Sequence, residues 1–420
     1  MKTGICIIGA GPAGLMAAIY AARAAVPTTI VEANAKPGRK LLLTGGGRCN
    51  FTHVGGAGEI TQAFGKTGRF LRHSLHELPP HDVMEFFHAR WLTSMVEPDG
   101  CVFPAGNKAA DVLDILMREA ETLGVTFLFG MPVTEVRAHD GGFAIHTKEQ
   151  PISATCVVIA TGGVTWPQTG STGDGYRFAA QLGHTIIPPK PALAPLVTRE
   201  SWVGDLAGIS LPLVKMHVTV GKRRITVIGP MLFTQAGIGG PAVLDLSRLL
   251  ADELSEGKHD IVARIDMVAQ LDEPGFDRQL QESIQAHPKR AVANVLAEFV
   301  PRQLSHVLCD LARCDCDLQV GQLKAEMRRC LVALIKALPL TITGTEPIAK
   351  ATVTRGGVST KEIEPQTMQS LLRPGLFFAG EVIDVDGPCG GYNLQMCWST
   401  GALAGHSATH SLLSASPPAP

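Results

Sequence analysis

Three glycines near the N-terminus, in Gly9-Ala10-Gly11-Pro12-Ala13-Gly14, have the spacing with which a backbone wraps a phosphate. Gly9 permits the tight turn, Gly11 lets a pyrophosphate approach the main chain, and Gly14 lets helix and strand pack closely. Pro12 and Ala13 open the following helix, whose first amides meet phosphate charge. Glu32, followed by Ala33, ends the next apolar run. A carboxylate there accepts hydrogen bonds from ribose hydroxyls and disfavours a 2′-phosphate, so NADP is not expected at this site. The motif alone is compatible with NAD, with FAD or with a turn that binds nothing.

The elements that must position these residues are legible around them. Ile5–Ile8 is a short apolar run suited to a strand buried on both faces. An Ala-rich helix over Leu15–Ala25 and a strand over Thr28–Val31 complete a right-handed βαβ unit. Asp111–Leu123 has helical periodicity, and Val125–Phe129 reads as a strand. Val133–Arg137 and Phe143–Thr147 alternate like a hairpin around Asp140-Gly141-Gly142. Cys156–Ala160 is another buried strand, ending in Thr161-Gly162-Gly163. Pro188-Pro189-Lys190-Pro191 marks a change of texture. Strands are expected at Leu193–Thr198, Leu213–Val220 and Arg224–Ile228, and helices between Asp277 and Lys336. Strands return at Leu338–Ile342, Ala351–Val353 and Leu376–Gly380, before a helix over Tyr392–Gly405. The domain plan is therefore 1–189 and 346–410 as two parts of one nucleotide-binding domain. Between them lies an insertion over 190–345, β-rich at 190–270 and about 337–345 and helical at 271–336. Residues 411–420 read as a small, Pro-rich disordered tail.

Composition narrows the classes. The chain has 420 residues, with 45% hydrophobic and 18% charged, as in ordinary globular proteins. Its formal net charge of -1 supplies no basic field for nucleic acid. No run approaches the roughly 20 apolar residues of a membrane span, and the N-terminus lacks a signal-peptide pattern. The ten cysteines show no disulfide spacing, so reduced thiols in a cytoplasmic protein are expected. Cys314-Asp315-Cys316 is a close pair without further ligands at finger-like spacing, and no metal is expected. The sequence assigns no oligomeric state.

The C-terminal half discriminates between the nucleotides. Ala379-Gly380-Glu381 ends a late strand, and Gly390-Gly391-Tyr392-Asn393-Leu394-Gln395 begins the last helix. This resembles FAD enzymes of the glutathione-reductase type, where such a strand end meets the ribityl chain and the helix N-terminus faces the flavin ring. Ala160-Thr161-Gly162-Gly163 matches the midchain strand end of that group. A second dinucleotide fold at Gly237-x-Gly239-x-x-Ala242, with Asp266 as its acid, is the competing reading. Pro241 and the lack of further βα units speak against it.

Longer motifs extend the resemblance. Lys40 to Asn50 reads KLLLTGGGRCN, with Phe103-Pro104, GSTGDG at 170–175, TQAGIGGP at 234–241 and DVDGPCGGYNLQ at 384–395. On these the chain resembles, over nearly its whole length, the bacterial YhiN/BaiN-like flavoproteins, which also take in aminoacetone-oxidase-type FAD-binding enzymes. The resemblance implies an α/β fold: a Rossmann-like FAD-binding domain of glutathione-reductase type with an inserted β-barrel-like module and a small helical module. It implies that Arg39, Lys40, Gly46, Arg48, Cys49 and Asn50 lie along the FAD. Val133 is implied to bond the adenine through its backbone, with Ala160, Thr161, Gly162, Gly380, Glu381, Gly391, Tyr392, Asn393, Leu394 and Gln395 completing the cofactor set.

The activity implied is reduction of an activated C=C bond in a small hydrophobic substrate, with electrons passing from NADH or NADPH through the flavin and a protein acid protonating the neighbouring carbon. Tyr392 is the first candidate acid, with packing as its alternative role. Arg355 is a candidate anion holder, or a salt-bridge partner. Cys49, Cys389 and Cys397 read as packing residues sooner than redox thiols. The rival readings are a flavin-dependent amine oxidase using oxygen, and an FAD-binding accessory protein with little turnover alone.

Overall fold

Seven residues, Lys2–Ile8, form the strand from which the nucleotide-binding architecture grows. Its apolar side chains alternate to both faces, and Ile5, Cys6 and Ile7 are fully buried. That is the pattern of a central parallel strand covered on two sides. Burying each such isoleucine contributes on the order of 1.5–3 kcal/mol. The computed structural model describes residues 1–415 of the chain. They divide into two units, Met1–Pro191 with the residues from Ala351 onward, and Ala192–Lys350.

In the first unit, Lys2–Ile8 pairs in parallel with Thr28–Val31 on one side and Ile152–Ile159 on the other. Ile5 faces Thr28 in one register and Cys156 in the other. Thr126–Leu128 extends the sheet beyond Thr28–Val31. The free edge of Ile152–Ile159 is shared. Its first half takes the antiparallel hairpin Val133–His139 and Gly142–Thr147, and its last three residues take Leu376–Phe378 in parallel. Three segments far apart in the chain therefore end side by side.

The Pro12–Ala22 helix is buried over most of its circumference. A helix apolar all round must be covered on several sides, and the long Tyr392–Ala415 helix packs against it. A small sheet of Thr52–His53, Cys101–Pro104 and Ser94–Val96 lies beside the start of that long helix. The Pro-rich stretch is itself the strand Ile186–Ala192, paired with Val353–Val358 in a two-stranded ribbon, where missing N–H groups are tolerated. The last helix runs to Ala415, so residues 411–415 are helical and not part of a tail. Leu412 packs on the core and accounts for the extension. The remaining tail residues, 416–420, lie outside the described residues.

In the second unit, six strands close a barrel in the order Leu196–Thr198, Gly237–Gly239, Arg223–Thr234, Ser210–Val220, Ile261–Asp266 and Leu338–Thr345. The helices Glu273–Ala286, Arg302–Leu311 and Ala325–Ala337 share its apolar core through Phe276, Leu280, Leu304, Leu308, Leu331 and Ile335. The barrel disposes of the second dinucleotide fold. Gly237 pairs with Val197 and Thr234, and a Cβ there would stand 2.1 Å from the Leu196 carbonyl oxygen. Close strand packing, not phosphate, requires that glycine. Asp266, the proposed acid of that fold, is ion-paired with Lys336 at 2.7 Å.

Near Cys314, the ligand atoms of Asp315, Cys316 and Asp317 gather within 4.8 Å of one another. Asp315 and Asp317 are exposed, and the Asp315 carboxylate already accepts the Asp317 N–H.

Candidate functional site

The glycine turn divides its labour as the spacing requires. Gly9 has φ +107, and a Cβ on it would meet the Ala160 carbonyl oxygen at 2.6 Å. A Cβ on Gly14 would lie 1.9 Å from the Gly9 carbonyl oxygen, so this contact fixes the helix on the strand. A Cβ on Gly11 would meet nothing within 4 Å. Gly11 borders open space, and no side chain caps the helix it begins. Its first amides are left for a ligand.

Across the turn, both oxygens of Glu32 are organised by backbone. Oε2 accepts the Ala10 N–H at 2.8 Å, and Oε1 accepts the Asn34 N–H at 2.8 Å and its side-chain amide at 2.7 Å. A carboxylate has about four acceptor sites; three are taken, so Oε2 keeps one for a ribose hydroxyl. Gly9, Glu32, Ala33, Met131, Pro132, Val133 and Thr161 line one crevice with Gly170 and Asp174. The Thr161 hydroxyl is buried with no hydrogen-bond partner. An open approach at Gly11, an uncapped helix, an oriented carboxylate and an orphaned hydroxyl together fit a dinucleotide.

Next to the crevice, three distant segments converge on Glu381. Lys40 Nζ donates to Glu381 Oε2 and to Thr165 Oγ1, both at 2.7 Å. Glu381 Oε1 accepts the Thr354 N–H at 2.8 Å. Gly380 donates its N–H to Thr400 Oγ1 at 3.0 Å. The turn after Lys40 includes Gly46, at φ +66, where an added Cβ would meet nothing. Arg39 reaches Asn34 Oδ1 at 2.8 Å. Arg48 pairs with Glu97 at 2.7 Å and lies 3.9 Å over the Phe103 ring.

The start of the long helix forms a third cluster. Tyr392 stacks on His53 with ring centroids 4.6 Å apart and meets the Phe64 edge at 6.4 Å. A Cβ on Gly391 would stand 2.3 Å from the Thr52 carbonyl oxygen and 2.7 Å from Asn50 Oδ1. Asn50 Oδ1 accepts the Val102 N–H at 3.2 Å.

Several predicted residues play different parts. The Gln395 side chain is fully buried, accepting from Thr52 at 2.6 Å and donating to Leu78 and Ser399. Its N–H bonds Gly391, so this residue locks the helix to neighbouring loops instead of meeting a cofactor. The Asn393 side chain is spent on Gly387 and Pro388. Arg355 holds Asp386 with Nε at 2.9 Å and Nη2 at 3.2 Å, a bidentate pair in place of an open anion site. Cys49 is buried at φ +63, and burial pushes its thiol up to about 12. Cys397 is likewise raised by burial to about 12. Neither carries appreciable thiolate near neutrality.

Asn34, His53, Glu97 and Thr165 escape sequence reasoning, and Asp386, though inside the 384–395 motif, is not identified there as the partner of Arg355. Each becomes meaningful only through a partner brought near by the fold.

The chain matches the family model for the HI0933-like protein Rossmann domain over residues 3–407. It is 32% identical over 407 residues to a 3-dehydro-bile acid delta(4,6)-reductase of Clostridium scindens, covering 96% of this chain and 98% of the relative. It is 31% identical over 397 residues to a ribosomal RNA dihydrouridine synthase of Escherichia coli, covering 94% and 95%. Among solved structures, a FrdA variant of Escherichia coli quinol fumarate reductase superposes with TM-score 0.52 at 18% identity, over 100% of this chain and 72% of that one. That last likeness bears on the fold alone. Among the described residues, no helix is long and apolar enough to cross a membrane.

Proposed function

The chain belongs to the HI0933-like Rossmann-domain family, and from that premise we propose that this FAD-dependent oxidoreductase reduces a C=C bond conjugated to a carbonyl group. The names of the two relatives support the reaction class. A delta(4,6)-reductase and a dihydrouridine synthase both saturate a carbon–carbon double bond. The observation that carries the cofactor side of the reading is the open approach at Gly11, one residue after the Ala10 N–H that orients the Glu32 carboxylate.

When bound, FAD supplies the hydride chemistry. The protein's part is binding, orientation and proton delivery. Gly11 and the uncapped helix receive the pyrophosphate, Glu32 the ribose, and the Val133 backbone the adenine. Lys40 and Glu381 fix the turn that carries Gly46 beside the late strand end. Tyr392, held between His53 and Phe64, is the proposed proton donor to the carbon next to the one reduced. Electrons are proposed to come from NADH or NADPH.

The substrate reading divides. A small hydrophobic enone follows the bile-acid reductase, and a uridine in RNA follows the dihydrouridine synthase, at nearly the same identity. The net charge of -1 favours the small molecule. Anaerobic mixing of the purified flavoprotein with NADH and then NADPH, followed by a steroid enone or by unmodified ribosomal RNA, tests the proposal. Flavin bleaching by one nucleotide and reoxidation by one acceptor is expected. Bleaching by neither nucleotide defeats the proposed electron donor. Tyr392→Phe is expected to lower turnover about 10²–10⁴-fold with bleaching by NAD(P)H intact. Unchanged turnover would remove Tyr392 from the reaction.

A further inference from the structure

We propose that His406 and His410 form a binding site for one divalent transition-metal ion. The two residues stand one turn apart on the exposed side of the long C-terminal helix, a spacing that puts both imidazoles on one face. At a rise of 1.5 Å per residue, His406 lies about 21 Å along the helix from Tyr392. The pair is therefore well separated from the proposed proton donor.

Three observations converge. His406 Nδ1 lies 2.9 Å from Glu77 Oε1 on the neighbouring Gly68–Glu77 helix. A carboxylate can only accept, so Nδ1 carries the proton and Nε2 of the neutral ring presents its lone pair. That Nε2 stands 2.9 Å from Nε2 of His410, with the rings 4.7 Å apart at 45°. A carboxylate on one ring nitrogen and a metal on the other is the usual arrangement for a ligating histidine. Without a metal, the two Nε2 atoms can meet only by sharing a proton.

The separation also selects the ion. With metal–nitrogen bonds of about 2.05 Å, nitrogens 2.9 Å apart subtend roughly 90° at the metal. That angle suits adjacent positions of an octahedral or tetragonal ion such as Ni²⁺ or Cu²⁺, and is too narrow for tetrahedral Zn²⁺. Water completes the sphere at this exposed position. Because Glu77 belongs to a different helix, the ion would also fasten the Gly68–Glu77 helix to the C-terminal one through His406.

Calorimetric titration of the FAD-loaded protein with Ni²⁺ tests this. Ni²⁺ is the first probe because the exposed Cys330 thiol can reduce Cu²⁺. One ion per chain is expected, bound more tightly than Zn²⁺ and accompanied by a rise in Tm. His406→Gln and His410→Gln should each abolish the binding, with the flavin spectrum unchanged. Glu77→Gln should weaken it about 10–100-fold, and Cys330→Ser should leave it intact. Absence of Ni²⁺ binding, or equal binding by the double histidine variant, overturns the site. Zn²⁺ binding tighter than Ni²⁺ overturns the geometry, and an unchanged Glu77→Gln variant overturns the role of the carboxylate.

Discussion

Lys40 and Glu381 are separated by 341 positions in the chain and by 2.7 Å in the fold. Their ion pair, mostly shielded from water, ties the glycine-rich turn of the N-terminal part to the strand end of the C-terminal part. Thr165 and Thr354 hydrogen-bond to the same carboxylate, so the junction gathers four segments. Removing either charge leaves the other without its partner at a half-buried position. Glu381→Gln and Lys40→Met are each expected to cost about 2 kcal/mol. The double variant should cost less than the sum, with coupling of about 1 kcal/mol or more. Urea denaturation of the apoprotein measures this. Strict additivity would show that the two side chains act separately.

Gly11 and Gly14 separate binding from folding. Gly11→Ala places its methyl in open space at φ -82, a conformation any residue adopts. The apoprotein should keep its Tm, while FAD affinity falls at least about tenfold, or 1.4 kcal/mol. Gly14→Ala drives its methyl into the Gly9 carbonyl oxygen and should destabilise the apoprotein itself by about 1–3 kcal/mol or more. Thermal melts without cofactor, beside flavin titrations, distinguish the two. Equal effects of both substitutions on apoprotein Tm would mean that the space at Gly11 is not a ligand approach.

The difference between those glycines marks what is legible in the sequence. Spacing identifies the turn at Gly9, the close contact at Gly14 and the space at Gly11, and marks Glu32 as the acid beside them, because all of these depend on local backbone. The buried parallel strands are legible for the same reason, since their apolar runs depend on no distant partner. The sheet edge shared by Gly142–Thr147 and Leu376–Phe378 is not, because it is set by tertiary pairing. Nor can sequence distinguish Arg355 as a substrate clamp from Arg355 as the partner of Asp386. Gln395 sits in a glycine-rich motif beside true site candidates, yet helical periodicity turns its side chain toward Leu78 and Ser399. The Gly237 motif shows the converse, a nucleotide-like spacing imposed by barrel packing.

His184 makes stability depend on pH. Its side chain is wholly buried, with Nε2 2.8 Å from Ser370 Oγ and Phe378 against the ring. Burial holds its pKa below the ordinary histidine value, and the nearby Glu362 carboxylate offsets this only in part. The unfolded chain therefore binds a proton that the folded chain resists. The stabilising contribution is complete above the unfolded value of about 6.5 and is lost as pH falls toward the folded one. Melts between pH 7.5 and 5.5 should show a larger acid loss of Tm in the wild type than in His184→Gln. Parallel curves would show that another group governs the acid limb.

Thiol chemistry separates packing from redox roles at the cysteines. Cys49 and Cys397 are held by burial at about 12, so fewer than about one in ten thousand is thiolate at pH 7.5. Cys330 is exposed and should be alkylated first by iodoacetamide in the native protein. Cys49 and Cys397 should be labelled only when the chain unfolds, and the Ala variants of both should keep flavin reduction by NAD(P)H. Mass mapping after timed alkylation reads the order directly. Labelling of Cys49 at the rate of Cys330 in folded protein would mean that something lowers its pKa. Its position at the end of the Gly45-Gly46-Gly47 turn would then make it a redox partner of the flavin and not part of the packing.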